Sequence, residues 1–153
     1  MRLLLLLLVS ALPASARLGE TRDECDKRYG IPVKTLEGGG IVYAKAGLHI
    51  VATFWNSKVS HIMVCKVERD ALNTPKELSQ NEIEILLKAN DGGSEWKKSE
   101  ALAFMRSQWE RADGKAVALY KQTDNYLTII DTAYASHLDE EKEKKEAKVL
   151  DGF

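Results

Sequence analysis

The sequence predicts an α+β fold in which an antiparallel sheet is built from two three-stranded meanders, each preceded by a helix, with the helices packed on one face. Three observations predict it. The order of patterned segments along the chain is helix, three strands, helix, three strands. Both helices carry a start signal, Thr21 with Glu24 and Ser79 with Glu82, in capping-box spacing. The strand-rich stretches are punctuated by two-residue turns at Ala46-Gly47, Asn56-Ser57, Asp113-Gly114 and Asp124-Asn125.

Residues 1 to 16, MRLLLLLLVSALPASA, hold one charge at Arg2, an apolar run from Leu3 to Val9 and a small-residue end at Ala14-Ser15-Ala16. That is the pattern of a secretory signal peptide, so the mature chain is expected to begin at Arg17 in a secreted or periplasmic setting. The run is far shorter than the roughly 20 residues a membrane span needs, and no membrane span is expected elsewhere. Without Arg2 the 22 basic residues become 21 against 23 acidic, a formal charge of −2. Such a balance does not suggest nucleic acid or an anionic lipid surface as partner.

Residues 17 to 135 are read as one α+β domain of two αβββ units, 17 to 68 and 78 to 133. The first helix, within LGETRDECDKRYGIP, starts after Thr21 and stops at Tyr29-Gly30, with Pro32 behind it. Gly38-Gly39-Gly40 reads as a flexible connection, because a phosphate loop would need a Lys-Ser/Thr and a following helix. In the meander from Ile41 to Glu68 the turns pair Tyr43 with Ile50, Phe54 with Val59, Ala52 with His61 and Leu48 with Cys65. Strand alternation then gives one face to Ile41, Tyr43, Leu48, Ile50, Ala52, Phe54, Val59, His61, Met63 and Cys65, the expected core. The opposite face holds Val42, Ala44, His49, Val51, Thr53, Trp55, Ser60, Ile62 and Val64, too apolar for full exposure, and its cover has to come from the second unit or from a partner.

The second unit opens with the helix of LSQNEIEILLKANDGG, inward at Ile83, Leu86 and Leu87 and stopped at Gly92. A short helix is expected from Ser99 to Met105, then strands around Trp109, Val117 and Ile129. From Ser136 to Phe153 the chain becomes a charged tail, helical or disordered, with Glu140–Lys144 and Glu141–Lys145 as helix-supporting pairs.

LGETRDECDKRYGIP, followed by strands with a TFWNSKV hairpin, resembles the opening of the SmpA/OmlA (BamE-type) envelope proteins, whose helix with G-T-x-x-x-V-x-x-x-x-G-x-P leads into antiparallel strands. The β-lactamase-inhibitor-protein-like fold uses similar units. The resemblance spans residues 18 to 67, lacks a lipoprotein cysteine, and has Cys25 where an apolar residue is usual. LSQNEI and DGKAVALY also resemble segments of small uncharacterised secreted bacterial proteins. These likenesses imply a fold and an envelope or secreted setting, and no activity.

Chemistry-bearing residues are sparse. His49, His61 and His137 have no metal-binding spacing, so no metal or other cofactor is expected. No Gly-x-Ser-x-Gly is present. Trp55 beside Thr53 and His49 makes a candidate binding patch, since an aromatic ring among small polar groups can anchor a partner. The functional expectation is a non-enzymatic module that binds another secreted or envelope protein, or an envelope component. The alternative is a small extracytoplasmic hydrolase with a site near Trp109, Tyr120 and Asp131, where a carboxylate close to aromatics could bind a sugar or hold a raised pKa. Cys25 on the inner face of the first helix and Cys65 on the core face of the meander are expected in the same layer, where in an oxidising compartment they could form a disulfide or pack as two unpaired thiols.

Overall fold

The computed structural model describes residues 17–99 and 105–151. The expected signal peptide, 1–16, and most of the short helix expected from Ser99 to Met105 lie outside the described residues.

Helix α1 (Arg22–Tyr29) is followed by strands β1 (Lys34–Thr35), β2 (Ile41–Lys45), β3 (Leu48–Trp55) and β4 (Lys58–Lys66). Helix α2 (Gln80–Ala89) then leads to β5 (Trp96–Lys98), β6 (Arg106–Arg111), β7 (Ala116–Lys121) and β8 (Tyr126–Asp131), and α3 (Thr132–Leu150) continues directly from β8. The fold is α+β, with one antiparallel eight-stranded sheet in the order β1-β2-β3-β4-β8-β7-β6-β5. Each half therefore contributes four strands rather than the expected three, and the last strand of each half meets the other at the sheet's centre. The additional strands are the two short edges, whose lysines Lys34, Lys97 and Lys98 are exposed and discourage pairing with another chain.

Local chemistry fixes these elements. Both capping boxes form, with Thr21 and Ser79 each accepting from the backbone N–H three residues on and Glu24 and Glu82 reaching back. Gly30, at φ 86°, ends α1. Ala46-Gly47 and Asn56-Ser57 take positive φ at both positions, the geometry that matches a two-residue turn to the twist of its strands.

The core gathers side chains of α1 and α2 with those of alternate strand positions on one face of the sheet. Cys25 and Tyr29 of α1, with Ile83, Leu86 and Leu87 of α2, share one buried cluster with Tyr43, Ile50, Ile62, Val64, Leu127 and Ile129. Tyr29 packs on Tyr43 with ring centroids 5.2 Å apart, and the Tyr43 hydroxyl donates to Asp26 at 2.6 Å. Tyr120 ties the second half in from the same side. Its hydroxyl accepts from Leu78 N–H at 3.1 Å and donates to Asn125 Oδ1 at 3.2 Å.

The register corrects the sequence reading at one place with wide effect. Tyr43 faces Ile50 and Phe54 faces Val59 as expected, but Ala52 faces Ile62 rather than His61, and Leu48 faces Lys66 rather than Cys65. A bulge between Thr53 and Phe54 leaves Ser60 as an extra residue on β4. One added residue turns every later side chain to the other face. Ile62 and Val64, 0% and 1% exposed, thus belong to the core, while His61, Met63 and Cys65 turn away from the helices.

Candidate binding face

The face of the sheet opposite α1 and α2 is built from rows that run across the strands. One row runs Val42, Val51, Met63, Thr128, Leu119, Gln108; the next runs Thr53, His61, Ile130, Val117, Glu110. Each of the four central strands β3, β4, β8 and β7 therefore places an apolar side chain on this face, interrupted by Thr128 in the first row and by Thr53 and His61 in the second. Their environment differs from that of their neighbours in sequence. Ile62, Leu127, Ile129 and Ala118 are at most 1% exposed on the helix side, whereas Val51, Met63, Val117, Leu119 and Ile130 are only half-buried.

One end of this face is covered by the start of α3. Asp131, the last residue of β8, caps the helix by accepting from Ala133 N–H and Tyr134 N–H at 2.9 and 3.1 Å. That cap directs Tyr134 and His137 onto Trp55, with the imidazole stacked on the indole at 5.1 Å and 19° and the Tyr134 ring at 5.7 Å. Beyond His137 every described side chain of α3 except Glu141 is exposed. The segment expected as a tail from Ser136 is thus part of a helix that begins at Thr132, and its first turns supply the cover that Trp55 needs. Near the other edge Leu36 comes close to Val51 and Thr53, around Gly40, where an added Cβ would sit 3.1 Å from Val51 Cγ1.

The expected binding residues His49, Thr53 and Trp55 do share this face, on alternate positions of β3, and all three are half-buried. Thr53 lies opposite His61 and His49 opposite Cys65. Burial lowers the pKa of His61 below its ordinary value. It raises the Cys65 thiol, with a hydrogen bond involving Tyr126 acting in the opposite sense. Cys25 sits in the helix-side core, where burial and then the Glu20 carboxylate push its thiol up to about 12. Both cysteines are buried free thiols on opposite faces of the sheet, not in the shared layer expected for a bridge. The bulge that turned Ile62 inward is what turned Cys65 away.

The residues of the expected hydrolase site are dispersed in role. Trp109 and Tyr120 are buried in the helix-side cluster, 6% and 3% exposed. Asp131 is engaged as the α3 cap. An open groove of about 480 Å³ beside α2 is lined by Trp96 and Trp109 with Glu84 and Glu95, and neither Tyr120 nor Asp131 lines it. Among the described residues no cluster of His, Cys, Asp and Glu could hold a metal ion, and no helix is long and apolar enough to cross a membrane. Tyr134 and His137 are the site residues the sequence reading missed. The Asp131-Thr132 cap after a strand was the signal that could have placed them.

No family model matches this chain, and no curated protein matches it. Among solved structures it is similar to a cysteine-rich secretory protein from Staphylococcus aureus, with a TM-score of 0.46 and 9% identity over 76% of this chain. The match spans 45% of that protein's length.

Proposed function

We propose that the chain is a secreted or periplasmic, non-enzymatic module that binds another secreted or envelope protein through the open face of its sheet. The observation that carries this reading is the contrast between the two faces of the same central strands. One is sealed by α1 and α2. The other presents Val51, Met63, Leu119, Val117 and Ile130 half-buried, in rows that cross four strands. Apolar side chains spread over four strands among polar ones are an ordinary mark of a contact surface. The leader-like residues 1 to 16 support an extracytoplasmic setting. The resemblance of residues 18 to 67 to the SmpA/OmlA envelope proteins points the same way. The hydrolase alternative gains no support, since Asp131 Oδ1 caps α3 and Asp131 does not line the groove beside Trp109.

The test is capture of partner from the protein's own envelope or culture fraction by the tagged wild type and by Leu119→Asp, with Glu84→Gln on α2 as control. Leu119 is half-buried and contributes less to folding than a core residue, so the variant should remain folded by circular dichroism. A stoichiometric partner held by wild type and control but lost with Leu119→Asp is the expected result. Capture that is indifferent to Leu119→Asp would refute the assignment of this face.

A further inference from the structure

We propose that the cavity between Arg17 and the turn after α2 is a binding site for a small oxyanion, a phosphate or carboxylate group. The cavity has a volume of about 350 Å³ and lies between Arg17-Leu18, residues 88–92 and Arg111. Three cationic side chains line it, Arg17, Lys88 and Arg111, against the single carboxylate of Asp91.

Two of these charges are matched to each other. Lys88 Nζ lies 2.6 Å from Asp91 Oδ2, and Asp91 Oδ1 accepts from Gly93 N–H at 2.9 Å. Arg111 is held in place by its own bonds. Its Nε donates to Asp113 Oδ1 at 2.8 Å and its Nη1 to the Asn90 carbonyl at 3.1 Å, and its side chain is only 11% exposed. Gly92, at φ +56°, makes room for it, since a Cβ there would lie 2.9 Å from Arg111 Nη1. These two anchors orient the guanidinium and leave Nη2 outside them.

Arg17 is the residue that lacks an account. Its Nε is buried and has no hydrogen-bond partner among the described residues. The residue as a whole is only half-buried, and its guanidinium keeps its charge. The neighbouring backbone is fixed, because Leu18 N–H donates to Asn90 Oδ1 at 2.9 Å and Gly19 N–H to the Val59 carbonyl at 2.8 Å. Arg17 is thereby tethered to the residue whose carbonyl holds Arg111. An oxyanion in the cavity meets the outer nitrogens of Arg17 and the remaining donor of Arg111, in the forked geometry that guanidinium groups offer to carboxylate and phosphate. The inference is independent of the sheet face described above.

The experiment is an amide and arginine Nε–H nuclear magnetic resonance titration of the purified protein with inorganic phosphate and, separately, acetate, at constant ionic strength with chloride as the balancing salt. Saturating shifts confined to Arg17, Leu18, residues 90–93 and Arg111 are expected for at least one of the two ions, and whichever saturates identifies the source of the oxyanion. Arg17→Gln, whose spectrum reports directly that the fold is kept, should weaken binding about tenfold or more, the loss of one charge-assisted bond. Lys34→Gln, on the distant edge strand, should leave it unchanged. Absence of saturation by about 10 mM of either ion, or an equal response in Arg17→Gln, would overturn the proposal.

Discussion

Exchanging Ile62 and Met63 for alanine separately reads the bulge directly. Ile62 is 0% exposed and packed among Ile50, Leu127 and Ile129, so Ile62→Ala removes a buried side chain that the surrounding strands cannot readily collapse upon. For a fully buried Ile→Ala the loss is about 2–5 kcal/mol, and a site at the centre of the sheet belongs in the upper half, about 3–4 kcal/mol. Met63 faces the open side and is half-buried, so its truncation leaves no closed cavity and should cost about 1 kcal/mol. Urea denaturation at fixed pH gives both values from the midpoints, provided the slopes agree with wild type. In thermal melts the Ile62 variant should fall by about 10 °C and the Met63 variant by only a few degrees. An unbulged hairpin requires the opposite order, with Met63 in the core and Ile62 outside. A larger loss for Met63→Ala than for Ile62→Ala would refute the register and every placement on β4 beyond Ser60.

Two further outcomes follow from the same geometry. The intact mass of the non-reduced protein should correspond to two thiols, with neither alkylated in the native state and both alkylated after unfolding; a mass lower by two hydrogens would contradict the placement of Cys25 and Cys65 on opposite faces. His61, a base whose folded pKa lies below its unfolded value, contributes no penalty above about pH 6.5, and stability should decline as pH falls below that value because the unfolded chain then binds the extra proton. His61→Gln should flatten this decline in melts between pH 5 and 7.5, and an unaltered slope would remove His61 as its source.

The parts of this fold that were legible in the sequence are those written in local chemistry. Thr21 with Glu24, Ser79 with Glu82 and the residues at Asn56-Ser57 and Asp113-Gly114 act within a few positions of themselves, so their spacing alone places helix starts and turns. The β4 register was not legible from the turn, because a bulge depends on how the whole strand packs. The composition did hold a hint: β-branched Ile62 and Val64 alternate with His61, Met63 and Cys65, and the branched pair is the one that packs against the helices. The two- and three-residue edge strands are too short to leave a period. The candidate face was half legible. His49, Thr53 and Trp55 follow from alternation, but the stack of His137 on Trp55 joins positions more than eighty residues apart, and the cavity shared by Arg17, Asn90 and Arg111 joins positions more than seventy apart.

The attachment of α3 has a mechanical meaning. Its 19 residues rise about 28 Å at 1.5 Å each, yet the ring contacts that hold it to the sheet lie in its first two turns, at Tyr134 and His137. A rod clamped near one end turns small angles at the clamp into large excursions at the tip, so that a tilt of about 10° sweeps the far end through roughly 5 Å. The exposed Val149 and Leu150 ride at that far end. Tightening or loosening the aromatic clamp on Trp55 therefore sets the reach of the carboxyl-terminal residues without any change in the sheet itself.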